Sequence, residues 1–155
     1  MIEEIQVRLA ALDGADFVLV AIDGPGRTDG ELAAILEPAA VIGMADFARP
    51  ADGELDPQEA YELSYDWGRL VEQVLDPIAV GEAGRYERDG KGQVEVPAHG
   101  LVVIDGPFST RPQLRGYYDL MIWVDGPTPT GRPAEDWFAA NVGPPSDALV
   151  VSADR

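Results

Sequence analysis

Cysteine is absent from the 155 residues, and the chain contains a single lysine (Lys91) and a single histidine (His99). Without cysteine there are no disulfide bonds, thiolate metal sites or cysteine nucleophiles. This composition fits a reducing compartment. A mechanism that needs a Lys–His pair, a histidine metal cluster or several phosphate-binding lysines is also disfavoured.

Basic residues are scarce, since 11 Lys and Arg stand against 28 Asp and Glu, for a net charge of −17. Binding to nucleic acid or to an anionic membrane depends on clustered Lys and Arg. The charge balance therefore predicts that neither nucleic acid nor membrane is a partner, and it leaves a small molecule or a second copy of the chain as candidates.

Long hydrophobic runs are also missing. The apolar run at residues 17–22 has the length of a strand, whereas a membrane helix needs about 20 apolar residues. The segment MIEEIQVRLAAL is charged and amphipathic, and it lacks the apolar stretch of a signal peptide. We therefore expect a soluble cytoplasmic protein with one domain over residues 1–155, a length that suffices for one core.

Strand-like and helix-like segments alternate along the chain. Short runs that are apolar on both faces predict strands at residues 17–22, 40–44, 101–104, 118–124 and 148–152. Helices are predicted at residues 2–12, 30–36, 57–75 (in one or two pieces, closed by Asp76-Pro77) and 133–140. A β-hairpin is predicted over residues 85–96, turning at Asp89-Gly90. The order predicts an α/β three-layer sandwich with a mainly parallel five-stranded sheet and a small hairpin.

Four predicted core strands end at or near an aspartate: Asp23, Asp46, Asp105 and Asp125. In parallel α/β sheets, ligands bind outside the carboxyl ends of the strands. Asp-Gly is also ordinary turn chemistry, which is the simpler explanation for any one of them. Together they predict a crevice lined by carboxylates.

Residues 17–32 read FVLVAIDGPGRTDGEL, which resembles the phosphate loop (Walker A) of the uridine kinase-like P-loop nucleoside kinases. Segments further along resemble the same family in the same order: residues 45–50 (ADFARP), 65–67 (YDW), 75–77 (LDP), 85–86 (RY) and 103–115 (VIDGPFSTRPQLR). The resemblance covers most of the chain and implies a P-loop kinase-like fold.

The phosphate loop departs from that family in charge. Its residues here are Gly24, Gly26, Arg27, Thr28, Asp29, Gly30 and Glu31. A working loop needs Gly-Lys-Ser/Thr, where the lysine reaches the phosphates and the hydroxyl holds Mg²⁺, but this chain has Asp29, Gly30 and Glu31. Each like-charge contact would cost about 4 kcal/mol at ~4 Å and an effective dielectric of ~20. Thr28 and Glu31 also have the spacing of a capping box that would begin the next helix.

Two further departures agree. Ala45 stands at the position of the family's catalytic aspartate. The segment equivalent to the family's arginine-rich lid, residues 125–147, contains a single arginine, Arg132. The resemblance therefore implies a degenerate member in which ATP-dependent phosphoryl transfer is lost. Neither ATP with Mg²⁺ nor any other cofactor or metal is expected.

The acceptor side of the family's site is better kept. Asp66 corresponds to the aspartate that binds ribose hydroxyls, and a carboxylate suits a diol because each oxygen can accept a hydroxyl hydrogen bond. Phe47, Arg49, Tyr86 and Trp67 are predicted to form the walls of that pocket, although Trp67 equally suits core packing and Arg49 equally suits an ion pair.

Three functions follow from this interpretation. The first is a repurposed domain that binds a small hydroxylated molecule, nucleoside-like or sugar-like. Either it only binds this molecule, or it also acts on it by acid–base chemistry through Asp23, Asp46, Asp66 or Asp105. The second is a non-catalytic, pseudokinase-like interaction module or homo-oligomer, with aromatic residues forming its contact surface: Tyr117, Tyr118, Trp123 and Trp137. The third is a divergent but active uridine or nucleoside kinase.

Overall fold

A computed structural model describes residues 1–28, 30–50, 53–88 and 90–152. The prediction for Asp29 and half of the predicted hairpin turn, at Asp89, lie outside the described residues. The helices are α1 (Ile2–Ala10), α2 (Glu31–Ile35), α3 (Pro57–Leu63), α4 (Trp67–Leu70), α5 (Asp76–Ala79) and α6 (Pro133–Asn141). The strands are β1 (Phe17–Asp23), β2 (Ala40–Gly43), β3 (Gly84–Arg88), β4 (Gly92–Val96), β5 (Gly100–Asp105), β6 (Leu120–Asp125) and β7 (Leu149–Ser152).

Five strands form a parallel sheet in the order β2-β5-β1-β6-β7. Strand β1 lies at its centre, where Ile22 is in register with Asp105 of β5 and with Ile122 of β6. Because all five strands are parallel, their carboxyl ends share one edge. Strands β3 and β4 form a separate antiparallel hairpin. The predicted fold class is confirmed.

Two hydrophobic clusters cover the two faces of the sheet, and alternate residues of a strand belong to different clusters. Leu19 packs in one cluster and Val20 in the other, as do Val102 and Val103 of β5. Side chains of a strand point alternately to opposite faces, so strands that are buried on both faces need continuous apolar runs. This is why those runs predicted the central strands.

The helical segment predicted over residues 57–75 is divided. Helix α3 begins with a capping box in which the side chain of Asp56 accepts from the N–H of Glu59. This helix ends at Leu63, and a second helical segment begins with α4. The second segment widens into one π turn at Val71–Leu75 and continues through α5 to Ala79. The prediction that Asp76-Pro77 ends the helix was wrong, because proline is tolerated in the first turn of a helix and Pro77 is the second residue of α5.

The start of α2 also differs from the prediction. Its N-cap is Gly30, which has a left-handed backbone (φ 75°) and no side-chain cap. The Thr28 hydroxyl donates to the side chain of Glu31 at 2.8 Å instead of forming a capping box. The phosphate-loop segment thus enters a helix of only five residues.

Candidate functional site

A cleft of about 450 Å³ opens at the carboxyl edge of the sheet. It is lined by Arg27, Thr28, Ala45, Tyr65, Pro107, Arg132 and Glu135. These residues come from the loops that follow β1, β2, β5 and β6, together with α6 and the segment before α4. The cleft lies where ligands bind in parallel α/β sheets.

The loop after β1, residues 24–28, uses its backbone N–H groups internally. The N–H of Gly24 donates to Oδ1 of Asp23 at 2.7 Å, and that of Gly26 donates to the carbonyl of Val124 at 2.9 Å. The N–H of Arg27 donates to the carbonyl of Gly24 at 3.3 Å. A phosphate-binding loop presents such groups to its ligand, whereas these three are already bonded within the protein.

Asp105 completes this pattern from the end of β5. Its Oδ2 accepts the N–H of Gly30 at 2.9 Å, immediately before α2 begins. Asp105 is only 7% exposed. The predicted catalytic residue Asp105 thus places a carboxylate at the start of the helix, where it accepts a bond that an anionic ligand would otherwise accept.

Glu135, in the first turn of α6, links the loop after β1 to the segment after β6. Its carboxylate lies 3.5 Å from Nη2 of Arg27 and 2.8 Å from Nε of Arg132. Arg132 also donates to the carbonyl of Pro25 at 3.3 Å. The Arg27 and Glu135 side chains are largely buried, with 6% and 16% exposed, so this ion pair is weakly screened.

Asp23 lies beneath the site at the end of β1. Besides Gly24, it accepts hydrogen bonds from the N–H groups of Phe108 (3.3 Å) and Thr110 (3.0 Å) and from the Thr110 hydroxyl (2.7 Å). Burial raises the pKa of its carboxyl, and the bonds from Thr110 and Gly24 lower it in part. Both oxygens are engaged, so this predicted catalytic residue ties β1 to the loop after β5.

Asp46 lies in a 3₁₀ turn, Met44–Phe47, after β2. Its Oδ2 accepts the hydroxyl of Tyr86 at 2.7 Å and lies 3.4 Å from Nε of Arg88. Burial and the bond to Asp46 raise the pKa of Tyr86 above its ordinary value. A second cavity of about 160 Å³ is lined by Ala45, Asp46, Arg88 and Lys91. Ala45 therefore borders both this cavity and the cleft.

Asp66 caps α4 by accepting the N–H of Arg69 at 3.1 Å, and the same oxygen pairs with Arg49 at 3.1 Å. Arg49 therefore forms an ion pair, which was one of its two predicted roles. The Asp66 and Arg49 side chains are 33% and 51% exposed. This pair lies on the surface and is reachable by solvent.

Phe47 and Tyr86 pack in the core, with ring centroids 4.9 Å apart and residue exposures of 0% and 3%. Arg69 lies over the Phe47 ring at 4.6 Å and donates to the carbonyl of Asp46 at 2.9 Å. Phe47 therefore presents no accessible side chain to a pocket. The ring of Tyr86 is likewise buried, and its hydroxyl donates to Asp46, which borders the 160 Å³ cavity.

Arg111 was not singled out as a site residue, although its position is unusual. Its guanidinium lies between the rings of Tyr61 and Trp67, at 4.6 Å and 4.8 Å, and the residue is 3% exposed. Burial lowers its pKa. Trp67, predicted to line a ligand pocket, thus stacks on Arg111. The surrounding sequence, STRPQ, is polar and gives no signal for this contact.

The strand-end aspartates do not line a single crevice, so that prediction was wrong. Asp46 borders the 160 Å³ cavity, Asp23 is buried, and Asp125 borders a third cavity of about 390 Å³ beside α6. They share the sheet edge, but different loops separate them.

The aromatic residues predicted to form a contact surface are largely packed. Trp123 is 4% exposed, and Trp137 stacks on Tyr61 with centroids 5.5 Å apart. The hydroxyl of Tyr118 donates to the carbonyl of Ser109 at 2.7 Å, and that of Tyr117 donates to Asp76 at 2.5 Å. They do not form an exposed aromatic patch.

Within the described ranges, no helix is long and apolar enough to cross a membrane. The same residues contain no group of three or more His, Asp or Glu side chains arranged to hold a metal ion.

Comparison with known proteins gives a likeness at the level of fold. No family model matches the sequence, and no curated protein matches it. Among solved structures, the fold is similar to that of a possible uridine kinase from Bacillus stearothermophilus, with a TM-score of 0.70, 20% identity, and coverage of 97% of this chain and 96% of that one. The P-loop kinase-like fold inferred from the sequence is thereby confirmed.

Proposed function

We propose that this domain binds a small hydroxylated molecule, sugar-like or nucleoside-like, in the cleft at the carboxyl edge of the sheet, and that it no longer transfers phosphate from ATP. The observation that carries the proposal is the hydrogen bond from the Gly30 N–H to Asp105. Gly30 precedes α2, and its N–H has the carboxylate of Asp105 as its partner. This contact supports a loop that bonds to the protein's own carboxylate in place of a phosphate.

The charges of the loop support the same conclusion. Glu31 occupies the position where the resembled family has the Mg²⁺-binding hydroxyl. Arg27, the nearest cation, is paired with Glu135. A triphosphate would therefore approach two carboxylates, those of Asp105 and Glu31, without an uncommitted lysine to offset them.

The lining of the cleft suits hydroxyl groups. Arg27 and Arg132 supply donors, and Glu135 supplies acceptors. The Thr28 hydroxyl donates to Glu31 and can accept a hydrogen bond from a ligand. Tyr65 adds an aromatic ring beside them. A polyol satisfies such a mixed set of donors and acceptors without adding net charge, and a volume of about 450 Å³ falls within the usual range for small-molecule sites.

For acid–base chemistry, Asp46 is the best placed of the predicted residues. It is half-buried and borders a cavity, and its Oδ2 holds the Tyr86 hydroxyl and the Arg88 side chain in place. Asp23 has both oxygens engaged below the surface, so we assign it a positioning role. The bond to Gly30 gives Asp105 a similar role.

Isothermal titration calorimetry with ribose, uridine and MgATP tests the proposal. We expect heat from ribose or uridine and none from MgATP. Ala45→Phe would fill the cleft without removing a side-chain hydrogen bond and should abolish binding, whereas Ala79→Phe, at an exposed position of α5, should leave it unchanged. Absence of polyol binding, or nucleoside-dependent ADP release in a coupled assay, would overturn the proposal, the latter in favour of an active kinase.

A further inference from the structure

The only lysine of the chain lies beside Arg88 at the 160 Å³ cavity that adjoins the cleft. Both residues belong to the hairpin, at the end of β3 and in the turn toward β4. Arg88 and Tyr86 point to the same face of β3 because they are two residues apart, and both contact Asp46. Two cationic side chains therefore border one small cavity.

The cations around this cavity outnumber the carboxylates among the described residues. Arg88 and Lys91 line it together with one carboxylate, that of Asp46, which lies 3.4 Å from Nε of Arg88. Within the described ranges, no hydrogen bond or ion pair joins the ammonium of Lys91 to another residue. In a chain with 28 acidic and 11 basic residues, such a local excess of positive charge is unusual.

We propose that this cavity binds an oxyanion on the ligand whose hydroxylated part occupies the cleft. The ligand class is then a polyol that carries a phosphate monoester or a carboxylate. This inference rests on the proposed function and adds the charge of its ligand. Arg88 would meet the oxyanion with its planar guanidinium and Lys91 with a point charge, the two ways in which proteins bind phosphate.

The position of Ala45 makes one ligand able to reach both places. Ala45 borders the cleft and the cavity, and its methyl group is the smallest side chain that could separate them. The anion would then lie on the hairpin side of Ala45, away from the carboxylates of Glu31 and Asp105. This separation explains how a chain ill suited to triphosphate can still take a singly phosphorylated or carboxylated sugar.

The test compares ribose, ribonate and ribose 5-phosphate by calorimetry at low and moderate salt. We expect either anionic ligand, or both, to bind at least about tenfold more tightly than ribose, with a difference that shrinks as salt rises. Lys91→Gln should remove most of that difference and leave ribose binding unchanged. Arg85→Gln is the matched control, because it removes one positive charge from the same hairpin. Arg85 pairs with Glu95 on the opposite strand at 2.8 Å and does not line the cavity.

The outcomes separate the two proposals. If ribose binds but neither anion gains affinity, or if Lys91→Gln and Arg85→Gln behave alike, the anion site is overturned and the polyol site stands. If no ligand binds, the proposed function itself fails. A gain for ribose 5-phosphate alone assigns the site to phosphate monoesters, and a gain for ribonate alone assigns it to carboxylates.

Discussion

Asp105 accepts the backbone N–H of Gly30 at 2.9 Å, although 75 positions separate the two residues in sequence. The contact joins the end of β5 to the start of α2. The first residues of the helix therefore have a carboxylate of the protein itself as a hydrogen-bond partner. The proposed loss of ATP-dependent phosphoryl transfer rests on this contact.

Substitution of Asp105 should separate its structural role from its charge. Asp105→Ala leaves the Gly30 N–H without its acceptor, so we expect the free energy of unfolding to fall by about 1–2 kcal/mol. Asp105→Asn keeps an acceptor oxygen and should cost less. Urea denaturation of the three proteins measures both values, and equal losses in the two variants would contradict a role through this hydrogen bond.

The stability that Asp23 contributes should depend on pH. Burial raises the pKa of its carboxyl in the folded protein above the ordinary value of 3.8. At a pH between 3.8 and the folded pKa, the folded protein keeps a proton on Asp23 that the unfolded chain has lost. The contribution of Asp23 is therefore fully present below pH 3.8 and is lost as pH rises through its folded pKa.

Asp23→Asn does not titrate and provides the reference. We expect the free energy of unfolding of the wild type, relative to Asp23→Asn, to increase as pH is lowered from 7 to 4. The increase is up to about 1.4 kcal/mol for each pH unit over which only the folded protein keeps Asp23 protonated. The exposed Asp13 supplies a control in Asp13→Asn. A difference that is constant with pH, or that decreases on acidification, would contradict the assignment.

Arg111 should resist replacement by lysine. Its planar guanidinium stacks between Tyr61 and Trp67, whereas an ammonium is compact and more strongly hydrated. We expect Arg111→Lys to lower the free energy of unfolding by about 1–3 kcal/mol. Arg85→Lys, on the exposed face of the hairpin, should change it by less than about 0.5 kcal/mol. Equal effects at the two positions would show that the stacking contributes little.

Gly126 should be essential for the close approach of two loops. A Cβ atom at this position would lie 2.7 Å from Cα of Gly26, a distance that requires the backbone to move. We expect Gly126→Ala to destabilise the fold by about 1–3 kcal/mol. At Gly116 a Cβ atom meets nothing within 4 Å, so Gly116→Ala is the control. Thermal denaturation should separate the two variants clearly, and coincident curves would contradict the argument.

The fold was predictable because its main signals are local. Each central strand is a short apolar run buried on both faces, and each ends in turn residues that are visible in sequence, as at Asp23-Gly24. Helix boundaries were less predictable. Proline usually ends a helix, but Pro77 lies in the first turn of α5, directly after the helical backbone of Leu75. The residue type alone does not indicate which of these two places a proline takes.

The site was less predictable, because its geometry depends on contacts between distant positions. Asp66 and Arg49 were predicted from the sequence as binding residues, but neither lines the cleft. Glu135, which does line it, pairs with Arg27 across 108 positions and has no local signal. Phe47 was predicted to line a ligand pocket, but its ring is buried in the core. Its neighbour Asp46 borders a cavity, because consecutive residues of the 3₁₀ turn point in different directions.

The hairpin of β3 and β4 shares no backbone hydrogen-bond ladder with the five-stranded sheet. It is attached through side chains: Tyr86 and Val96 are buried in the same hydrophobic cluster as one face of the sheet. The Tyr86 hydroxyl also donates to Asp46, and Arg69 donates to the carbonyl of Glu87. A change of length or sequence in its turn therefore leaves the strand register untouched.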